Sequence, residues 1–157
     1  MKKILFVCLG NICRSPMAEA IFNHKIQEKS LENQFKGDSA GTANYHVGDY
    51  PDPRTVETVS KNGIKIHHKG QQFKRNHADE FDYLIAMDSS NQRNMLIELA
   101  GHSKPVYLMR DFDPVEKGDV PDPYYGGING FDQVFDILDR SIDNFIDHLL
   151  KEEKKGG

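Results

Sequence analysis

The chain has 157 residues, 38% of them apolar, with 20 Lys and Arg against 24 Asp and Glu for a formal net charge of -4; this fits one globular domain and gives no electrostatic case for nucleic acid. No apolar run is long enough to cross a membrane and the N-terminal one is too short for a secretory leader, so no membrane insertion and a cytoplasmic location are expected. Cys8 and Cys13 lie too close together to make a disulfide framework, and the seven histidines are scattered, with His67 and His68 adjacent rather than at helical ligand spacing; no metal and no cofactor are expected.

In chain order, the apolar run Ile4 to Val7 reads as a buried strand that delivers Cys8 into a short loop. Ser15 and Pro16 then read as the N-cap and first residue of a helix to about Lys29, with Met17, Ala20, Ile21 and His24 on one face. A weakly signalled strand follows near Phe35 to Ala40, and the polar stretch Gly41 to Asp52 reads as a loop. Asp52 and Pro53 open a helix to about Lys61, which Asn62-Gly63 ends. Tyr83 to Met87 is the next strand, with Asp88 as N-cap of a helix through Ala100 and Gly101 as its stop. Val106 to Met109 gives a fourth strand. Arg110 to about Gly127 is an Asp-, Pro- and Gly-rich loop of a length that is usually functional or disordered. Phe131, Val134, Phe135, Leu138, Ile142, Phe145, Ile146 and Leu149 fall on one stripe of a last helix, and Lys151 to Gly157 reads as a solvated tail of a single domain spanning 1–157. Alternating strands and helices predict an α/β fold, a four-stranded parallel sheet with helices on both faces. Ligands of such sheets bind at the carboxyl ends of the strands, where Cys8, the 41–52 loop, Asp88 and the long acidic loop all fall.

The loop after Cys8 carries the chemistry. A tight turn opening onto a helix N-terminus aims several N–H groups and the positive end of the helix dipole at one point, which suits a phosphate. The same donors favour the thiolate of Cys8, the form that attacks. Arg14, six places on, offers a planar fork that grips two oxygens of a tetrahedral oxyanion, as Lys cannot. Taken alone, Cys8 could be a small buried residue ending a strand and Arg14 a surface charge. The apolar strand before them, Gly10 and Asn11 between, and Ser15-Pro16 after favour the phosphate loop. Hydrolysis of a phosphate monoester also needs a proton donor for the leaving oxygen. Among Asp111, Asp113, Asp119 and Asp122 the best placed is Asp122, stiffened by Pro121 and Pro123 and flanked by Tyr124 and Tyr125, although on residue type alone it serves a turn equally well.

Val7-Cys8-Leu9-Gly10-Asn11-Ile12-Cys13-Arg14-Ser15-Pro16 resembles the signature of the low-molecular-weight protein tyrosine phosphatases. Ser39-Ala-Gly-Thr42, Val47-Gly48 with Pro51-Asp-Pro-Arg54, Phe81-Asp-Tyr83 with Ala86-Met-Asp88, and Val120-Pro-Asp-Pro-Tyr-Tyr125 follow in that family's order, so the likeness runs from about Lys2 to Leu150. The resemblance implies a flavodoxin-like fold and hydrolysis of phosphotyrosine on proteins through a phosphocysteine at Cys8. It implies Arg14 as the oxyanion clamp and Asp122 as the general acid. By the same resemblance, Leu9, Gly10, Asn11, Ile12, Cys13, Ser15, Tyr45 and Tyr124 form the substrate site. Ser15 donates to the Cys8 thiolate, Asn11 braces the loop with His68 as partner, and Tyr125 supports the acid. Tyr45 stands where the family often has Trp. Tyrosine-phosphorylated proteins are the expected partners, inorganic phosphate is product and competitive ligand, and a protective disulfide between Cys8 and Cys13 is the expected response to peroxide.

Two readings from other classes share part of this pattern. Arsenate reductases of the same fold have the Cys-x5-Arg loop but relay electrons through further cysteines, and this chain has none beyond Cys13. A non-catalytic phosphate-binding module would keep the loop and need no acid.

Overall fold

Ile4, Leu5, Phe6 and Val7 are completely buried because β1 (Lys2–Cys8) is an inner strand covered on both faces. The computed structural model describes residues 1–156. The sheet has the order β2-β1-β3-β4, with β2 at Phe35–Gly41, β3 at Tyr83–Ala86 and β4 at Val106–Leu108, and every neighbouring pair is parallel. The register sets Cys8 opposite Gly41 and Val7 opposite Ala86, and Ala86 opposite Leu108. The loops that leave these strands therefore open at one edge of the sheet.

Alternation along the strands splits the core in two. Ile4, Phe6 and Ile85 face the layer that holds α1 (Arg14–Glu28), α2 (Pro53–Ser60) and α5 (Ile128–Gly156), whereas Leu5, Val7, Leu84 and Ala86 face Ala78 of α3 (His77–Glu80) and Met95 of α4 (Ser89–Glu98). The apolar stripe predicted for the last helix is buried along its whole length. Its Phe145 packs within 6.1 Å of the Phe22 ring and 6.5 Å of Phe6, joining α5, α1 and β1. Truncating a ring so placed costs about 3–5 kcal/mol.

The elements differ from the sequence reading in four places. Helix α1 begins at Arg14 rather than Pro16, and its N-cap residue is Cys13, with no side-chain cap bond, because the Ser15 hydroxyl is engaged elsewhere. This helix is buried nearly all round from Arg14 to Phe22, so Met17, Ala20 and Ile21 are covered while His24, expected on their face, is partly exposed beside Glu28. The short helix α3 carries no periodic signal. The stretch read as a solvated tail is helical, continuing α5 to Gly156 with Lys151 to Lys155 exposed; Gly157 lies outside the described residues. The caps at Asp52 and Asp88 are as predicted, each carboxylate accepting a backbone N–H of its own helix, from Arg54 and Asn91 respectively. Among the described residues no helix is long and apolar enough to cross a membrane.

Candidate active site

Cys8 ends β1 and the chain then curls through Leu9 to Cys13 into α1. The carbonyls of Cys8, Leu9 and Ile12 accept from the N–H groups of Thr42, Ala43 and Asp52 at 2.9, 2.9 and 2.8 Å. A trans peptide points its C=O and N–H in opposite directions. With these oxygens drawn outward to neighbouring segments, the N–H groups of Leu9, Gly10 and Cys13 face the inside of the curl, which is the cradle the sequence predicts. Gly41 makes that approach possible, since a Cβ there would lie 2.8 Å from the Leu9 carbonyl oxygen.

The curl is held from behind by a buried polar network centred on Asn11, which has a left-handed backbone (φ 57°). Its amide nitrogen donates to the hydroxyls of Ser15 (2.8 Å) and Ser39 (3.0 Å), and its oxygen accepts from Gln71 N (2.9 Å) and His68 Nε2 (2.7 Å). His68 Nδ1 lies 3.0 Å from Glu19, whose carboxylate also accepts from Ser39 at 2.6 Å. With Asn11 donating into Ser15 Oγ, the hydroxyl's own proton is free for the Cys8 sulfur or the Ala40 carbonyl, 3.0 and 3.3 Å away. Asn11 and Ser15, counted among the substrate-site residues, are 1% and 0% exposed and lie behind the loop, Asn11 bracing it with His68 and Ser15 meeting the Cys8 sulfur as the resemblance implies. Ser15 cannot cap α1 because its oxygen is spent on this network.

Arg14 is 3% exposed, and its guanidinium is fixed by Asp88 Oδ2 at 2.7 Å and the Val120 carbonyl at 2.9 Å, both on Nη1. Burial opposes its charge, but Cys8, Asp88 and Asp122 more than offset this and hold the guanidinium above its ordinary range. Its Nη2 lies 3.6 Å from Asp122 Oδ2. The Asp122 side chain is 38% exposed and its other oxygen accepts from Tyr124 N at 3.0 Å, so the flanking Tyr124 and Tyr125 leave the carboxylate open to water.

Cys8, Arg14 and Asp122 open into one cleft of about 250 Å³, with Leu9, Gly10, Ile12 and Cys13 along the loop side and Tyr45, Tyr124 and Tyr125 at the rim. Tyr125 is 92% exposed and meets the Tyr124 ring edge-on at 5.0 Å. Cys13 is buried, and burial, with the negative charges of Asp52, Cys8 and Asp122 adding to it, pushes its thiol up to about 12.

Three contributors escaped the sequence reading. His46 lines the cleft, and a Cβ on Gly10 would sit 3.2 Å from its ring, so the glycine is the trace it leaves in the sequence. Arg54 chelates Asp52 and reaches across to the carbonyls of Tyr124 (3.0 Å) and Gly126 (3.1 Å), tying α2 to the acidic loop. Asp88 was read as a cap and is also the partner of Arg14. As for a cation, Glu19, Asp38 and His68 are the one group among the described residues whose donor atoms lie within 4.8 Å of each other, and Glu19 and His68 already pair with one another inside the Asn11 network.

The comparisons with known proteins agree with one another. The family model of low molecular weight phosphotyrosine protein phosphatases matches residues 3–155. A low molecular weight phosphotyrosine protein phosphatase of Saccharomyces cerevisiae is 46% identical over 155 residues, covering 96% of this chain and 94% of the relative. Among solved structures, a protein tyrosine phosphatase from Entamoeba histolytica, crystallised with Hepes in its active site, superposes with a TM-score of 0.93 at 38% identity, covering 98% of this chain and 99% of the other. A drosophila arginine phosphatase shares the fold at a TM-score of 0.87 and 32% identity, covering 95% and 98% of the two chains.

Proposed function

Since the chain belongs to the low molecular weight phosphotyrosine protein phosphatase family, we propose that it hydrolyses phosphotyrosine on proteins at the Cys8 cleft, through a phosphocysteine on Cys8. The observation that carries the assignment of roles is the convergence on one cleft of Cys8 and the buried, clamped Arg14 from the phosphate loop with Asp122 from the distant acidic loop.

In the first step Cys8 Sγ attacks phosphorus while the bond to the phenolic oxygen breaks. The inward N–H groups and the Arg14 fork hold the equatorial oxygens, and Asp122 delivers its proton to the departing phenol. Ser15 steadies the thiolate by hydrogen bond. In the second step the Asp122 carboxylate takes a proton from water as that water attacks phosphorus, the S–P bond breaks, and inorganic phosphate leaves the cradle it can also occupy as a competitor. No step calls on a metal or an organic cofactor. The chemistry requires Cys8 as a free thiol, and both cysteines are free, which suits a reducing compartment such as the cytoplasm.

Leu9, Ile12, Tyr45 and Tyr124 surround the mouth with apolar and aromatic surface, which suits a neutral phenyl ring. Phosphoserine is too short to seat its phosphorus beside Cys8 from this rim. Phosphoarginine would bring a charged leaving group to walls that offer it little besides Asp122. Initial rates on peptides carrying each of the three phosphoresidues test the assignment: phosphotyrosine should be turned over fastest, and faster turnover of phosphoarginine would reassign the substrate. The electron relay of an arsenate reductase lacks its cysteines here, and a passive phosphate-binding module gives no reason for an aspartate at Arg14 on the open side of the cleft.

A further inference from the structure

The long acidic loop is held by its stem. Asp113, 1% exposed, accepts from Arg110 Nε (2.9 Å), Arg140 Nε (2.9 Å) and Val115 N (2.9 Å), so the start of the loop is fixed to α5. The same Arg110, itself 7% exposed, donates from Nε to the Glu116 carbonyl at 3.1 Å and from Nη1 to the Asp119 carbonyl at 3.0 Å. One guanidinium thus closes the loop upon itself and grips its returning arm.

The grip falls on a decisive peptide. Its oxygen, on Asp119, accepts from Arg110, and its N–H, on Val120, donates to the Met87 carbonyl at 2.9 Å, one residue past the end of β3. The Val120 carbonyl in turn accepts from Arg14 at 2.9 Å. Beyond it, the ring of Pro121 locks φ, leaving ψ of Pro121 and φ of Asp122 as the soft backbone torsions between the pinned peptide and the Asp122 side chain, whose own χ angles complete the path to the carboxyl. We propose that Arg110 is a positioning residue for the general acid, setting the plane of the 119–120 peptide so that the Asp122 carboxyl reaches the leaving oxygen of the substrate bound at Cys8 and Arg14. This rests on the reading of Asp122 as the acid. Arg110 does not line the cleft and touches no reacting atom. Its effect is confined to the proton that Asp122 gives the phenolic oxygen as the P–O bond breaks and the S–P bond forms. Misplacing a catalytic group by about 1 Å costs up to about 100-fold.

The test is kcat/KM, which reports the first step, for phenyl phosphate and for an aryl phosphate whose electron-poor phenol leaves without a proton. It is run on wild type, Arg110→Gln, Asp122→Asn and the double variant, with thermal midpoint and the inhibition constant of inorganic phosphate measured alongside. Arg110→Gln should lose roughly 10- to 100-fold on phenyl phosphate and change less than about threefold on the electron-poor ester, with phosphate inhibition unchanged. In the Asp122→Asn background it should cost nothing further on either ester. Arg110→Lys, which keeps the charge without the fork, should fall between and serves if the Gln variant does not fold. Equal losses on both esters, or a full Arg110→Gln loss persisting in the Asp122→Asn background, would overturn the positioning role. An Asp122→Asn variant that itself loses both esters equally would instead overturn the acid assignment, so the two failures are distinct.

Discussion

The two loops that meet at the cleft are built on opposite plans. The phosphate loop, Cys8 to Ser15, is short and contiguous, and its buried polar side chains, Asn11, Arg14 and Ser15, are all partnered. The acidic loop is long, anchored through Arg110 and Asp113 at its stem and through Arg54 near its tip, and it leaves Asp122, Tyr124 and Tyr125 open to water. One holds a charge pattern that must be ready before the substrate arrives, since preorganised donors cost no reorganisation during the reaction. The other presents a group that must meet a proton, a leaving phenol and then a water, and so must stay accessible.

Variants of the first loop should therefore abolish chemistry and those of the second grade it. Cys8→Ser should remove turnover entirely while inorganic phosphate still binds, which calorimetry reports, because the cradle is backbone and Arg14. Arg14→Lys should be nearly as severe in steady-state rate, a point charge being no substitute for the fork. On the acidic loop, Asp122→Asn should slow phenyl phosphate hydrolysis by roughly 10²- to 10⁴-fold, the usual worth of acid–base catalysis, and an electron-poor ester much less in the first step. Asp119→Asn is the contrast: its carboxylate accepts from Ser89 N at 2.9 Å, so it anchors the arm and should cost far less than Asp122→Asn in the same assay.

Smaller effects sharpen the contrast through stability. Asn11→Ala removes one partner each from Ser15, Ser39, His68 and the Gln71 N–H and replaces a residue suited to a left-handed backbone. A loss of about 1–3 kcal/mol per unsatisfied buried group predicts a clear drop in denaturant midpoint together with lowered activity. In the acidic loop, burial disfavours the Asp113 carboxylate, but hydrogen bonds from Arg140, Val115, Arg110 and Glu116 overcome this and hold it well below the usual carboxylate range. A carboxyl depressed in the folded state contributes stability that is complete above its unfolded value, near pH 4, and is lost as pH falls through the folded one. The thermal midpoint of wild type should thus fall with acidification below about pH 4 more steeply than that of Asp113→Asn, whose midpoint is lower at neutral pH. The least effect on basal rate is expected from Cys13→Ala. Because burial first, with the neighbouring negative charges, pushes the Cys13 thiol up to about 12, its capture of peroxide-oxidised Cys8 should be slow near neutrality and quicken as pH rises. Wild type should then recover with a thiol reductant after peroxide where Cys13→Ala does not, and mass spectrometry should find the Cys8–Cys13 bridge in the former.

The same contrast governs what the sequence makes legible. The phosphate loop lies in one stretch, between an apolar strand and a helix, so Cys8 and Arg14 are readable from adjacency and the phosphate from their chemistry. The parallel sheet follows from the alternation of strands and helices, and the buried stripe of α5 from its periodicity, whereas the strand order is seen only in the structure. The start of α1 differs from the sequence reading because Ser15 has the chemistry of a cap and is instead consumed by Asn11 and Cys8. Asp122 needed the family resemblance to separate it from three other aspartates of its loop. The pairings of Arg14 with Asp88, Arg54 with Tyr124 and Asp113 with Arg140 join residues 74, 70 and 27 positions apart, and no local pattern in a single sequence announces them. His46 left only a glycine as its trace.

The central claim is that phosphate passes through Cys8 with Asp122 serving both steps, and rapid quench into alkaline denaturant, in which an S–P bond survives, of Asp122→Asn with an electron-poor aryl phosphate tests it directly. The first step needs no acid with this ester and the second still lacks its base, so a phosphoryl group should accumulate on the peptide containing Cys8. Steady turnover without any phosphorylated Cys8, or with the phosphoryl group on another residue, would contradict the account.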